Sequence, residues 1–179
     1  LVGLLKRMVE KLPDEGPFPR SVLALEGTLE SQIGTGPAVD IEEAFRASLA
    51  DLRYRDRSAG RTLEGPHLSD LVVHHAPKNM PAELCSTGEQ KALLIGMVLS
   101  HARLTGEIAG LTPILLLDEI AAHLDAGRRA ALFSLLDELG CQTFMTGTEP
   151  SLFTSLQGRG QFLTVSNGTV EQTVVCPSS

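Results

Sequence analysis

The sequence predicts an α/β fold of parallel strands joined by crossover helices, closed by a terminal β-hairpin and preceded by a small α+β unit. Three observations carry that expectation. From Ser86 onward helical and strand patterns alternate, with a helix over 86–103, a strand over 112–118, a helix over 126–139 and a strand over 141–146. In the tail QFLTVSNGTVEQTVV, Asn167-Gly168 stands between alternating apolar residues, which predicts a type I′ hairpin turn. Ahead of both, residues 1–57 mix one strand-period stretch with two helical ones.

Taken in order, Val2, Leu5, Met8, Val9 and Leu12 form one helical stripe, and LPDEGPFP stops it with prolines and a glycine. SVLALEGTLE then alternates as a strand. In AVDIEEAFRASLADLRY the apolar residues Ile41, Phe45, Leu49 and Leu52 recur at helical spacing. The stretch from Arg55 to Cys85 is rich in turn formers around Leu71 to Val73 and reads as two short strands with loops. It marks a boundary, so the division is 1–57, a small appended unit, and 58–179, the regular α/β part. Strands beside Leu115 are expected to leave an open edge and uncovered apolar surface.

A chain of 179 residues, 42% hydrophobic and 21% charged, is long enough to bury one good core and unlike a disordered segment. Its net charge of −7 does not announce a nucleic-acid binder. One local exception is the run Arg53, Arg55, Arg57 and Arg61, which could meet DNA phosphates or form a solvated helix end diluted by Asp51 and Asp56. Cys85, Cys141 and Cys176 show neither a CxxC pair nor metal-ligand spacing, which fits a reducing cytosol. The apolar run at Ile114 to Leu117 is too short to span a bilayer and no signal peptide is seen, so the expectation is a cytoplasmic protein without a membrane. An opening at Leu1, already helical in pattern, suggests a piece of a longer chain.

Chemistry concentrates in two stretches. ILLLDEIAAHLD runs from an apolar strand into Asp118 and Glu119 and reaches Asp125 six residues after Glu119. In parallel sheets ligands bind beyond the carboxyl ends of strands, so Asp118 stands where a Mg²⁺ ion could be held and Glu119 where a water could be oriented or deprotonated. The plainer reading is a solvated acidic turn with Asp125 capping the next helix. The second stretch is CSTGEQKALLIGMVLSHARL. Ser86 and Glu89 form a capping box in spacing, which is the plain structural account. That account leaves Gly88 unexplained, because glycine in a first turn costs about 1 kcal/mol relative to alanine. A hydroxyl, bare N–H groups and a positive helix end together make an anion site suited to a γ-phosphate.

STGEQ followed by ILLLDE and AAHLD resembles, in order, the signature motif, Walker B motif and D-loop of ABC-type ATPases. With EGPHLSDL at 64–71 and MTGT at 145–148, the resemblance narrows to the RecF family of bacterial recombination and repair ATPases, strongest from Gly60 to Thr148. It implies the C-terminal lobe of an ABC-type ATPase head, with residues 1–57 as the end of an arm-like second domain. It also implies that Asp118 coordinates Mg²⁺ and that Glu119 is the base or water-positioning group. Ser86 and Gly88 would touch the γ-phosphate of ATP held by the other protomer, Thr87, Glu89 and Gln90 would shape that loop, and Asp125 would sit across the dimer interface. Thr146 or Thr148 stands where transporter-type ATPases carry a switch histidine.

No G-x-x-x-x-G-K-[ST] occurs here, since Lys6, Lys11, Lys78 and Lys91 all lack that context. The 179 residues alone are therefore expected to be inactive, as half of a split pocket. The resemblance implies an ATP-switched homodimer that clamps double-stranded, gapped DNA and helps load recombinase with RecO- and RecR-type partners. Two alternatives stand beside it. A transporter nucleotide-binding domain is disfavoured because Gln90 lies 28 residues before Asp118 and MTGT has no histidine. A non-catalytic interaction module describes the isolated chain. His74 and His75 are read as edge-strand residues pointing to opposite faces, and His123 as an exposed turn residue.

Overall fold

The computed structural model describes residues 1–156 and 158–173. The end of the predicted terminal strand, Val174 and Val175, and Cys176 lie outside the described residues.

The chain opens with α1 (Val2–Val9) and crosses a proline-rich loop into β1 (Ser21–Glu26). Helices α2 (Ala38–Asp51) and α3 (Arg53–Ala59) follow, then strands β2 (Asp70–His75) and β3 (Met80–Pro81). The long α4 (Thr87–Ala109) leads to β4 (Leu115–Leu117), α5 (Ala126–Leu139) and β5 (Thr143–Met145). A hairpin of β6 (Phe162–Ser166) and β7 (Thr169–Thr173) closes the described chain. Strand order is β1-β2-β3 in an antiparallel sheet, with β4 and β5 parallel and β6 and β7 antiparallel. This is the mixed α/β architecture that the alternation predicted.

Helix α4 is the axis of the core. Ala92, Ile95, Leu99 and Ala102 pack in one cluster with Phe18, with Leu115 and Leu117 of β4, with Leu124 and with Leu132, Phe133 and Leu136 of α5. Gly96 is what lets the proline-rich loop come so close: a methyl group there would lie 3.4 Å from Leu12 and 3.5 Å from Phe18. In β4 the pleat turns Leu115 and Leu117 inward and Leu116 outward. Leu116 pairs with Phe144 of β5, and both side chains are exposed, as is Ile114. The expected uncovered apolar surface beside Leu115 is therefore present.

The α2–α3 segment is held differently. Neither helix has a buried residue. Three tethers fix the pair to residues 63–65: Ser48 donates to the Glu64 carboxylate at 2.7 Å, Leu63 N–H donates to Asp56 at 3.0 Å, and the Phe45 ring lies against Gly65. Strand pairing crosses residue 57, because β1 lies beside β2 over six residue pairs, Ser21↔His75 through Glu26↔Asp70.

Four expectations change. Helix α4 runs to Ala109 because Gly106 costs an interior helix only about 1 kcal/mol, and the true stop is Gly110 in the left-handed region at φ 68°. Residues 55–59 are helical, the continuation of an arginine-rich stretch with good helix propensity. His74 and His75 lie on a central strand rather than an edge, and His75 is buried at 5% exposure with its Nδ1 unpartnered among the described residues. Finally, α4 is long and apolar enough to cross a membrane by length and composition, which the reading of Ile114 to Leu117 overlooked. Here it is a core helix, with eight of its residues buried.

Candidate functional site

At the carboxyl end of β4 the backbone turns sharply. Glu119 adopts φ 52° and ψ 15°, a left-handed conformation that costs a non-glycine residue about 1–2 kcal/mol. The turn is held by Thr146, one residue past β5. Its hydroxyl donates to Asp118 Oδ1 at 2.5 Å and accepts the Glu119 backbone N–H at 2.9 Å. The parallel pairing places Thr146 there, since Thr146 N–H continues the ladder onto the Leu117 carbonyl at 3.1 Å. Asp118 Oδ2 has no hydrogen bond among the described residues, and Asp118 is exposed.

The start of α4 is capped as its sequence predicts. Ser86 is the N-cap, its hydroxyl accepting from Glu89 N–H, while the Glu89 carboxylate accepts from Ser86 N–H at 3.0 Å and from the Ser86 hydroxyl at 2.9 Å. Lys78, on the β2–β3 turn, forms an ion pair with the same carboxylate. The Lys78 ammonium, joined by the two Ser86 hydrogen bonds, lowers the Glu89 pKa to about 2. Gln90 is spent on the loop behind: its amide donates to the Glu83 and Cys85 carbonyls, both at 3.2 Å. A methyl on Gly88 would stand 3.7 Å from the Arg128 guanidinium. Arg128 is in the first turn of α5, whose N-cap is Asp125, accepting from Arg128 N–H at 2.8 Å.

The predicted residues thus gather at two places. Asp118 and Glu119 meet at Thr146, while Ser86, Thr87, Gly88, Glu89 and Gln90 open α4 beside Asp125 and Arg128. An open cleft of about 300 Å³ lies between α4 and β4 beside Asp118, lined by Lys91, Leu94, Val98, Leu116, Asp118 and His123 among others, and Ser86 to Gln90 do not line it. No hydrogen bond joins Ser86 to Asp118 among the described residues. His123 is exposed in the 3-10 turn Ile120–His123. Sequence reasoning missed Lys78 and Arg128. The first could have been sought in PKNM, a turn between two strand patterns that lead into the Ser86 helix.

No family model matches the chain. Its sequence is 69% identical over 173 residues to the DNA replication and repair protein RecF of Mesorhizobium japonicum, a match covering 97% of this chain. To the RecF of Brucella abortus it is 66% identical over 165 residues, and to that of Rhizobium etli 59% over 170. This is RecF-family sequence. The chain spans about half the length of these RecF relatives, 46%, 43% and 45% in turn. The RecF likeness extends to the fold: a solved structure of the recombination mediator protein RecF-ATP in the RecFOR pathway superposes with a TM-score of 0.71 over 96% of this chain, at 21% identity and over 45% of its own length. The fold is accordingly that of the C-terminal lobe of an ABC-type head. A transporter origin is set aside, since these relatives are DNA replication and repair proteins.

Proposed function

We propose that the chain is the signature-bearing and Walker B-bearing part of a RecF-type protein of DNA repair and recombination, in which ATP is sandwiched between two copies. The observation that carries the proposal is the Thr146 bridge between Asp118 and Glu119 at the carboxyl end of β4, where a parallel sheet offers its ligand crevice. Glu119 orients or deprotonates the attacking water. Asp118 holds Mg²⁺, which when bound would offset phosphate charge. One carboxylate with a free oxygen, completed by waters and phosphate oxygens, is a donor set that this ion accepts.

Ser86 and Gly88 serve the γ-phosphate of the nucleotide on the other copy, with Thr87, Glu89 and Gln90 shaping that surface and Asp125 facing it across the dimer. Ser86 and Asp118 share no hydrogen bond among the described residues, and on this reading they serve different nucleotide pockets. Lys78 makes the helix start tolerable for an anion: it offsets the Glu89 charge that would otherwise repel phosphate. The site lies in the cytoplasm, the closed dimer holds gapped duplex DNA, and RecO- and RecR-type proteins are its partners. Residues 1–57 form the end of the arm and 58–179 the ATPase part, two units of ancestry that share the β1–β2 pairing.

Two measurements test this. Fluorescent ATP titrated into the 179-residue chain shows no micromolar binding, because no phosphate loop is present. The whole protein containing this segment, followed by light scattering, shifts from monomer to dimer on adding ATP and Mg²⁺. A whole protein that stays monomeric at saturating ATP removes the proposal.

A further inference from the structure

We propose that the outward face of α3, centred on Tyr54 and flanked by Arg53, Arg55 and Arg57 with Arg61 just beyond, is a binding surface for single-stranded DNA. The choice of DNA rests on the RecF-type reading; the surface rests on its own geometry.

The chain carries a net charge of −7, yet between Arg53 and Arg61 it places four arginines against one acid. That acid, Asp56, is turned away, accepting Leu63 N–H in the tether that holds α3 in place. All four arginines are exposed, and none forms an ion pair among the described residues. By contrast, Arg46 on α2 is paired with Glu42. Asp51, the last residue of α2, is exposed and stands two residues before Arg53. Unpaired arginines have no ion pair to give up before they meet phosphate, and their planar guanidinium groups suit it.

Tyr54 makes the surface more than a charged ridge. It is the sole tyrosine and is 82% exposed, leaving its ring without a packing partner. With about 100° between successive helix residues, Arg53 and Arg57 lie one turn apart along one flank of the ring and Arg55 lies on the other. An aromatic face between cationic groups is the arrangement on which an unpaired base stacks while its backbone meets the charges. A duplex hides its base faces and would leave the ring unused. An acidic peptide would meet the arginines, but its carboxylates are repelled by the negative face of the ring rather than stacked on it.

The test is fluorescence anisotropy with labelled oligo(dT), with a duplex of equal length and with phosphatidylserine vesicles as competitors, in the absence of nucleotide. Arg53→Glu with Arg57→Glu should weaken oligo(dT) binding tenfold or more and lower the salt slope by about 1.4, the value for two lost single-strand phosphate contacts. Tyr54→Ala should weaken it about fivefold or more, and Tyr54→Phe should restore it, because stacking needs the ring and not the hydroxyl. These positions are exposed, and unchanged thermal unfolding confirms intact folding. Wild-type protein that ignores oligo(dT), full affinity in the arginine variant, or indifference to Tyr54→Ala each overturns the assignment, as does preference for vesicles. Because no ATP is present, loss of this binding leaves the nucleotide reading standing. Glu119→Gln, which tests that reading, should leave oligo(dT) affinity unchanged.

Discussion

The Thr146 hydroxyl, just past β5, bridges the two residues that follow β4, donating to the Asp118 carboxylate and accepting the Glu119 amide. A single side chain therefore fixes both the direction of one carboxylate and the left-handed backbone that carries the next. Thr146→Val keeps the shape and removes the hydroxyl, leaving the Glu119 N–H without its partner. In the whole protein, ATP hydrolysis should fall about tenfold or more, as expected when a group is misplaced near the reacting atoms. Thr146→Ser should recover most of it. Turnover that is unchanged in the valine variant would show that the bridge has no part in positioning.

Glu119 carries the second prediction. Glu119→Gln should keep ATP-dependent dimerisation and lose hydrolysis, since on the proposed reading it removes the base or water-positioning group while sparing shape. Glu119→Gly should lose hydrolysis too, yet raise stability by up to about 1 kcal/mol by relieving the left-handed strain. Urea unfolding and light scattering check the pair. Loss of dimerisation together with ATP affinity in Glu119→Gln would contradict the role given to this residue.

The ion pair between Lys78 and Glu89 at the start of α4 predicts a pH effect. Glu89 is held at about 2 in the folded chain, below its ordinary value near 4.5. A carboxyl depressed on folding stabilises the fold above its unfolded value, and that contribution is lost as pH falls from about 4.5 through about 2. Lys78→Met removes the largest cause, so the Glu89 titration seen by carboxyl NMR should climb back toward the ordinary range. The acid-unfolding midpoint should rise with it. An unmoved Glu89 titration in this variant would refute the pairing.

Ser86 separates capping from function. Ser86→Ala should cost about 1 kcal/mol through loss of the helix cap. Ser86→Arg should leave nucleotide binding by the whole protein's own pocket intact while blocking dimer closure, because on the proposed reading the serine faces the partner's phosphate. Normal ATP-driven dimerisation of the arginine variant would place Ser86 outside the interface.

Much of this was legible in the residues. The period of the apolar pattern located α5 at its observed bounds, and Asn167-Gly168 marked the hairpin, both residues having positive φ. Local rules reached that far because those elements are set by local chemistry. They failed where distant contacts decide. Nothing in HH reveals that β1 and β3 flank β2 and bury His75, and the helix expected to end at 103 runs on to Ala109. At the site, Asp118 and Glu119 were visible from their place after an apolar run. The sequence offered Thr146 or Thr148 for the switch position; that Thr146, 28 residues on from Asp118, bridges both becomes apparent only when β5 pairs with β4.

The outward pair Leu116 and Phe144 bears on that same acidic turn. Two three-residue strands make a thin plank, braced from beneath by α4 and α5 and bare on top. Leu116 stands two positions before Asp118, so any greasy surface that comes to rest on the plank would stiffen the bend at its tip. How firmly the carboxylates are aimed is thus tied to what lies on the other side of the strands.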